Sequence, residues 1–333
     1  HIKSLLKIGK RVIYYNITNE ENTENNVRNT NYKYKPIKMQ NKKVPEILRV
    51  IFFLKRELNK NVTDYIFIQD ELLLILVPFI KNKRRIVFDI HEIPEKYSGI
   101  SKLLFRYSYK RINENKITAL KRDEGIFMDN YPMLSDFVIH DDQDNENDNN
   151  TYNFIYSGMI TEENRHMIKT LEVFDLLLLE KIANEIFLIG PLANRINKDK
   201  IEKKLKNLQK KYANHFFYYG KRNHDFVVSK WKKSDFSLLL IKGTQELSPN
   251  KLFESMISGT ICVTDHLNYS SKVPENLLLL VDKKDSPEQI VHKIQNFIKN
   301  NNIKEIQKDN IKFILENQYY WEKFLDHYKK IFK

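Results

Sequence analysis

The sequence predicts an α/β protein made of two doubly wound domains, each a parallel sheet covered by helices on both faces. Three observations carry this. Short β-rich runs alternate with helix-period stretches along the chain, the signature of parallel sheets. Three of the later runs end in a glycine, at Gly158, Gly190 and Gly220, where ligands sit close to backbone at the carboxyl ends of strands. Residues 135–150 carry six acidic side chains and no basic one, a polar stretch unable to bury a core and suited to joining two pieces of domain size. An insertion within one domain is the plainer alternative for that stretch.

The first domain is expected over 1–134. Residues 2–8 read as a helix and 12–15 as a strand. Ile47, Leu48, Ile51, Phe52 and Leu58 form a helical stripe opened by Pro45 at the first turn. Residues 65–68 and 85–90 read as strands, 71–80 as a helix ended or kinked by Pro78, 101–112 as a basic amphipathic helix, and 117–120 and 126–128 as short strands. The second domain is expected over 151–315. Its strands fall at 154–156, 185–189, 216–219, 236–240, 261–263 and 277–281, with helices between them and Gly259 as a C-terminal stop for the helix before 261. The tail from 286 onward reads as helical.

Composition removes several classes. The single cysteine, Cys262, excludes an internal disulfide framework and a Cys-rich zinc site, and fits a reducing compartment. The longest apolar run, 72–80, has nine residues where about 20 span a bilayer, so no transmembrane helix is expected. A cytoplasmic protein follows, with the inner face of the plasma membrane as an option. The net charge of +13 asks for an acidic partner. The charge is dispersed rather than gathered in a stripe with stacking aromatics, which argues against nucleic acid. In 101–112, Lys102, Arg106, Lys110 and Arg111 alternate with Leu103, Leu104, Phe105 and Tyr107; this suits either an anionic membrane surface or packing on the first sheet with a solvated edge. Asp141, Asp142 and Asp144 lack the glycine and terminal glutamate of a calcium loop, and no metal site is expected.

The most informative segment spans 245–265. Ser248 is placed as a helix N-cap and Pro249 at the first helical position. The amides of that helix start attract an anion, and Lys251 adds a cation beside it. Glu246 precedes the helix and Glu254 lies within it. Two carboxylates and a cation around an anion site suit a polyhydroxylated phosphate ligand, with the acids accepting from hydroxyls.

Glu246, seven residues, then Glu254, followed by Met256, Gly259 and the strand at 261–263, resembles the donor-site signature of the retaining two-domain GT-B glycosyltransferases of the family 4 type (glycosyl transferases group 1). Other segments are similar to that family along nearly the whole chain. These are 156–165, Phe187–Gly190, Tyr218–Lys221, Asp89–Glu92, Asn130–Pro132 and Trp321–Glu322. The resemblance implies a GT-B fold of two Rossmann-like domains facing across a cleft, with a final helix, 316–333, crossing back to the first domain. It implies that Glu246 orients the donor sugar and that His91 points into the cleft, these two being the catalytic candidates. Arg165 and Lys251 would hold the donor diphosphate, Glu254 the ribose, and Gly158, Gly220 and Lys221 would lie along the nucleotide. The plain alternatives are a helix-surface Glu254, a structural His91 and solvated charges at Arg165 and Lys251.

The implied activity is metal-independent transfer, without a cofactor, from a nucleotide-sugar, most simply a UDP-sugar. The acceptor is a glycan or lipid-linked molecule in bacterial surface polysaccharide or glycolipid synthesis, and the leaving phosphate itself takes the acceptor proton. Two departures stand out. Met159 occupies a place where the family often has a second basic residue, and the family's opening strand and glycine loop are not found before residues 2–8. They keep open a catalytically inactive GT-B scaffold or partner subunit. The sugar, linkage and oligomeric state are not encoded in these motifs.

Overall fold

A computed structural model describes residues 2–18, 30–38, 44–60, 65–68, 77–81, 86–90, 103, 106, 116–118, 126–127, 131–137, 151–193, 197–242, 250–265 and 273–332. The chain forms two compact units. One comprises His1–Asp129 together with Glu322–Lys333, the other Asn130–Trp321. The division thus falls at 129/130 and 321/322, where the sequence suggested 134 and 315.

The first unit begins with helix α1 (Ile2–Lys7), as expected, and strand β1 (Val12–Thr18). β1 pairs in parallel with β2 (Tyr32–Lys38), Val12 opposite Tyr32. β2 was not expected: its Tyr–Lys alternation carries no apolar run, and Pro36 demotes a strand unless an edge tolerates the missing N–H. Helix α2 (Val44–Lys60) follows, then a parallel sheet of β3 (Ile66–Ile68), β4 (Ile86–Ile90), β5 (Lys116–Thr118) and β6 (Ile126–Phe127) in that order. Among the described side chains of α2, Val50, Ile51 and Leu54 are buried. Spacing of i, i+1 and i+4 sets Phe52 on the opposite side. The expected stripe is corrected there, since Phe52 is 62% exposed.

The end of the chain completes this unit. Helix α9 (Leu325–Ile331) buries Tyr328, and Phe332 sets its ring edge-on to Tyr65 at 5.0 Å. Lys7 Nζ meets Glu322 Oε1 at 3.2 Å. Of the expected basic helix 101–112, only Leu103 and Arg106 are described; both are helical and exposed.

The second unit is one six-stranded parallel sheet. Its strands are β7 (Tyr152–Ser157), β8 (Ala183–Ile189), β9 (Phe216–Tyr218), β10 (Phe236–Leu239), β11 (Ile261–Thr264) and β12 (Leu279–Leu280). The order across the sheet is β12-β11-β10-β7-β8-β9. Strands buried on both faces read as apolar runs: Phe154, Ile155 and Tyr156 in β7 and Ile186 to Ile189 in β8 are all buried. Helices α3 (Met167–Leu179), α4 (Lys198–Lys211), α5 (His224–Trp231) and α6 (Asn250–Ile257) fill the crossovers, and α7 (Pro287–Asn300) and α8 (Ile303–Glu316) follow the last strand.

The tail is thus not one helix. Asn302 begins α8 afresh by accepting from Glu305 N, and α7 opens with a capping box of Ser286 and Gln289. Cys262 lies buried in β11, where burial pushes its thiol up to about 12. Residues 135–137, expected within the joint, are packed in this unit. Phe137 is buried, and Asp136 Oδ2 lies 3.0 Å from His224 Nε2. The rest of the acidic stretch lies outside the described residues.

Candidate functional site

Sheet order locates the site. From β7 the chain steps outward to β8 and β9, then crosses over to β10, β11 and β12 on the other side. The order thus reverses between β7 and β10, and the carboxyl ends of these two strands form the switch point where doubly wound sheets take ligands.

Three glycines line the β7–β9 side. Gly158 N–H donates to Ile189 O and Gly190 N–H to Gly220 O, both at 2.9 Å. Gly158 and Gly190 have φ of 155° and 149°, values reserved for glycine. A Cβ on Gly190 would stand 1.7 Å from Gly158 O. The two strand ends approach there too closely for any side chain at 190. Gly220, at φ 63°, has open space where a side chain would stand, and Lys221 beside it is exposed.

The loop after β7 is lashed to the exit of β10. His166 N–H donates to Leu240 O and Lys242 N–H to Asn164 O, each at 3.3 Å, which sets Arg165 opposite Ile241. Glu162 secures the same loop three ways. Its Oε2 accepts from Ile168 N–H at the start of α3 (2.8 Å), while Lys242 Nζ reaches Oε1 (2.5 Å) and the main-chain O (2.8 Å). Asp265, at the end of β11, accepts from Ile241 N–H at 2.7 Å and has His166 Nε2 3.8 Å away. Burial holds the Asp265 carboxyl above its ordinary range. Burial, then the charges of Lys169 and Lys242, hold His166 below its own.

Arg165 donates to Asn164 O at 2.9 Å and lies beside the Tyr156 hydroxyl. That phenol donates to Met159 O at 2.8 Å. Burial raises it to about 12, against the opposing pull of Arg165, so it stays a neutral donor. Met159 itself is 52% exposed.

On the β10 side, Glu254 is no surface residue. It is 4% exposed, in a helix whose residues 252–257 are all buried. Lys251 Nζ contacts its Oε2 at 2.5 Å. The sequence treated these two as separate ligand contacts; the fold makes them an ion pair, because i and i+3 share a helix face. Pairing offsets the cost of burying the two charges. Glu246 and His91, the two catalytic candidates, lie outside the described residues, as do Ser248 and Pro249. The sequence reading assigned no role to Tyr156, Glu162, His166, Lys242 or Asp265. The signal for Asp265 was its place one residue beyond a buried strand, as with the glycines.

The arrangement gathers small backbone turns, one arginine and a carboxylate–ammonium pair at a sheet's switch point, which suits an anion carrying hydroxyls. Among the described residues, no three His, Cys, Asp or Glu are grouped to hold a metal ion, and no helix is long and apolar enough to cross a membrane.

No family model matches the chain. An uncharacterized glycosyltransferase of Methanocaldococcus jannaschii is 31% identical over 134 residues, which is 39% of this chain and 33% of that protein. A glycosyltransferase structure from Rickettsia africae matches with a TM-score of 0.66 at 13% identity, covering 99% of this chain and 92% of that one. WaaG, a glycosyltransferase involved in lipopolysaccharide biosynthesis, matches at 0.65 and 11% identity over 97% and 92%. An Anabaena protein in complex with UDP and glucose matches at 0.58 and 12% identity over 90% and 85%. The chain has the GT-B fold, that of the group 1-type glycosyltransferases.

Proposed function

We propose that the protein is a retaining, metal-independent glycosyltransferase of the family 4 type that uses a nucleotide-sugar, most simply a UDP-sugar. The observation that carries this reading is the bridge from Arg165 to Ile241 at the exit of β10, beside the glycine-ended strands β7 to β9, with the buried Lys251–Glu254 pair on the helix that follows β10. Glycines at strand ends let a diphosphate approach the backbone. Arg165, anchored through Ile241, supplies charge toward a departing phosphate, the largest kind of catalytic contribution. Glu254 offers a carboxylate to the ribose diol, with Lys251 on hand for phosphate; Gly158, Gly220 and Lys221 flank the nucleotide. Glu246 orients the sugar and His91 meets the acceptor. A neighbour of this fold holding UDP and glucose supports the donor class, and one acting in lipopolysaccharide biosynthesis supports a surface glycan or glycolipid product. The acceptor proton leaves with the diphosphate in a front-face displacement. A membrane-borne acceptor fits the basic first unit.

The test is calorimetric titration with UDP, GDP and dTDP and their sugars, followed by product analysis. Glu254→Ala and Arg165→Ala should each weaken nucleotide binding at least about tenfold with the fold intact, as a lost charge-assisted contact does. Unchanged binding and turnover in both would overturn the site. Exposed Met159, standing where a second cation is usual, favours one rival, an inactive scaffold; nucleotide binding without any turnover of tested acceptors is its signature.

A further inference from the structure

The proposed function gives Lys242 no role toward the ligand. It stands at the exit of β10, next to Ile241, which bridges to Arg165. Arg165 is partly buried. Its guanidinium donates to Asn164 O at 2.9 Å and lies beside the Tyr156 hydroxyl. Both are neutral groups, and among the described residues no carboxylate pairs with this guanidinium. A partly buried cation with no anion beside it favours an anionic ligand.

Acids nevertheless stand close by in the chain. Glu162 and Glu163 belong to the same loop, and Asp265 reaches the exit of β10 from β11. Asp265 is engaged by Ile241 N–H at 2.7 Å, with His166 Nε2 at 3.8 Å. Glu163 is exposed to water. Glu162 is the acid placed to compete, because its side chain is only 12% exposed and a carboxylate so removed from water requires a donor or a cation. Both its oxygens are engaged. Oε2 accepts from Ile168 N–H at 2.8 Å, and Oε1 takes Lys242 Nζ at 2.5 Å. The same ammonium donates to the main-chain O of Glu162 at 2.8 Å. Without Lys242, the first cation after Glu162 along the chain is Arg165. The next, Lys169, is already committed to Lys283 O at 2.8 Å and Asp285 O at 2.9 Å.

We propose that Lys242 is a positioning residue for the donor: by engaging Glu162 it withholds that carboxylate from Arg165 and keeps the guanidinium available to the diphosphate. The proposal rests on Arg165 meeting the donor diphosphate. It differs from a mechanical tie, in which Lys242 only staples the loop to β10. A staple needs both of its ends, whereas a decoy is dispensable once the competing acid has lost its charge.

The experiment is calorimetric titration of the 333-residue chain with UDP, GDP and dTDP, with the thermal midpoint of each variant recorded. Lys242→Gln should weaken binding of the preferred diphosphate about fivefold or more, the worth of one partly exposed ion pair formed in competition. In Glu162→Gln the amide oxygen still accepts from Ile168 N–H while the charge is gone, so binding should be at least as tight as in the wild type. The double variant Glu162→Gln/Lys242→Gln should recover to within about twofold of the wild type. An equal or deeper loss in the double variant overturns the proposal in favour of a mechanical tie, as does wild-type affinity in Lys242→Gln. Should Lys242→Gln fail to fold, Glu162→Gln decides alone, and weakened binding there overturns the proposal. Arg165→Ala separates the two readings. Wild-type affinity in Arg165→Ala, or a wild type that binds none of the three nucleotides, overturns the donor site and the proposal with it. Weakened binding in Arg165→Ala beside wild-type binding in Lys242→Gln overturns the proposal alone.

Discussion

Replacing Gly190 by alanine tests the glycine contact at the switch point directly. The new Cβ would meet Gly158 O at 1.7 Å, against a practical minimum of 3.0 Å, so one strand end must retreat by about 1.3 Å. The obstacle is backbone, and no rotamer change relieves it. Retreat pulls Gly158 N–H from Ile189 O and Gly190 N–H from Gly220 O, at about 1 kcal/mol each. Holding a non-glycine residue at φ 149° adds about 1–3 kcal/mol. The total is about 3–5 kcal/mol. Gly220→Ala is the control: its φ is 63° but its Cβ would meet nothing within 4 Å, so only the left-handed cost of about 1–2 kcal/mol applies. Urea unfolding followed by tryptophan fluorescence reads the right unit, because both tryptophans, Trp231 and Trp321, belong to Asn130–Trp321. Equal loss of stability in the two variants would refute the claim that backbone contact, rather than backbone conformation, requires glycine at 190.

Three further outcomes are expected. Tyr156→Phe removes the donor to Met159 O and should lower stability by about 1 kcal/mol while weakening nucleotide binding through the freed loop, as titration would show. His166 has a folded pKa below its ordinary value near 6.5; the stability it contributes is complete above that value and is lost as pH falls through the folded pKa. His166→Gln should therefore flatten the decline in unfolding midpoint as pH falls below about 6.5, and an unchanged slope would assign that decline to other groups. Ser286→Ala removes one half of the capping box and should cost about 1 kcal/mol, read by the same urea titration; no change would mean that Pro287 alone fixes the start of α7.

The second unit was legible in the sequence because strands buried on both faces appear as apolar runs, and its glycine-ended strands lie where they were read. What lay hidden is long-range. Nothing local joins Lys242 to Glu162, 80 residues apart, or Ile241 to Asp265, 24 apart, yet these contacts fix the loop bearing Arg165. The plain alternative for Glu254, a helix-surface acid, could not be tested from local sequence, because only tertiary packing buries it. In the first unit the misreading ran the other way. Phe52 was placed in the apolar stripe on hydrophobicity, whereas helical phase gives that stripe to Val50, Ile51 and Leu54. β2 escaped notice because tyrosine and lysine alternate there without an aliphatic residue until Ile37.

The first unit is closed by a segment that lies beyond the second in sequence. During synthesis Asn130–Trp321 emerges before Glu322–Lys333. The second unit therefore holds its full set of strands while the first still lacks Tyr328 and Phe332, both buried once the chain is complete. Domains generally fold as they emerge, N-terminal first; here the second unit is complete in sequence before the first. The nascent first unit must wait with part of its core uncovered, and chaperone binding to ribosome-held chains should therefore map to its residues even after the second unit has become protease-resistant.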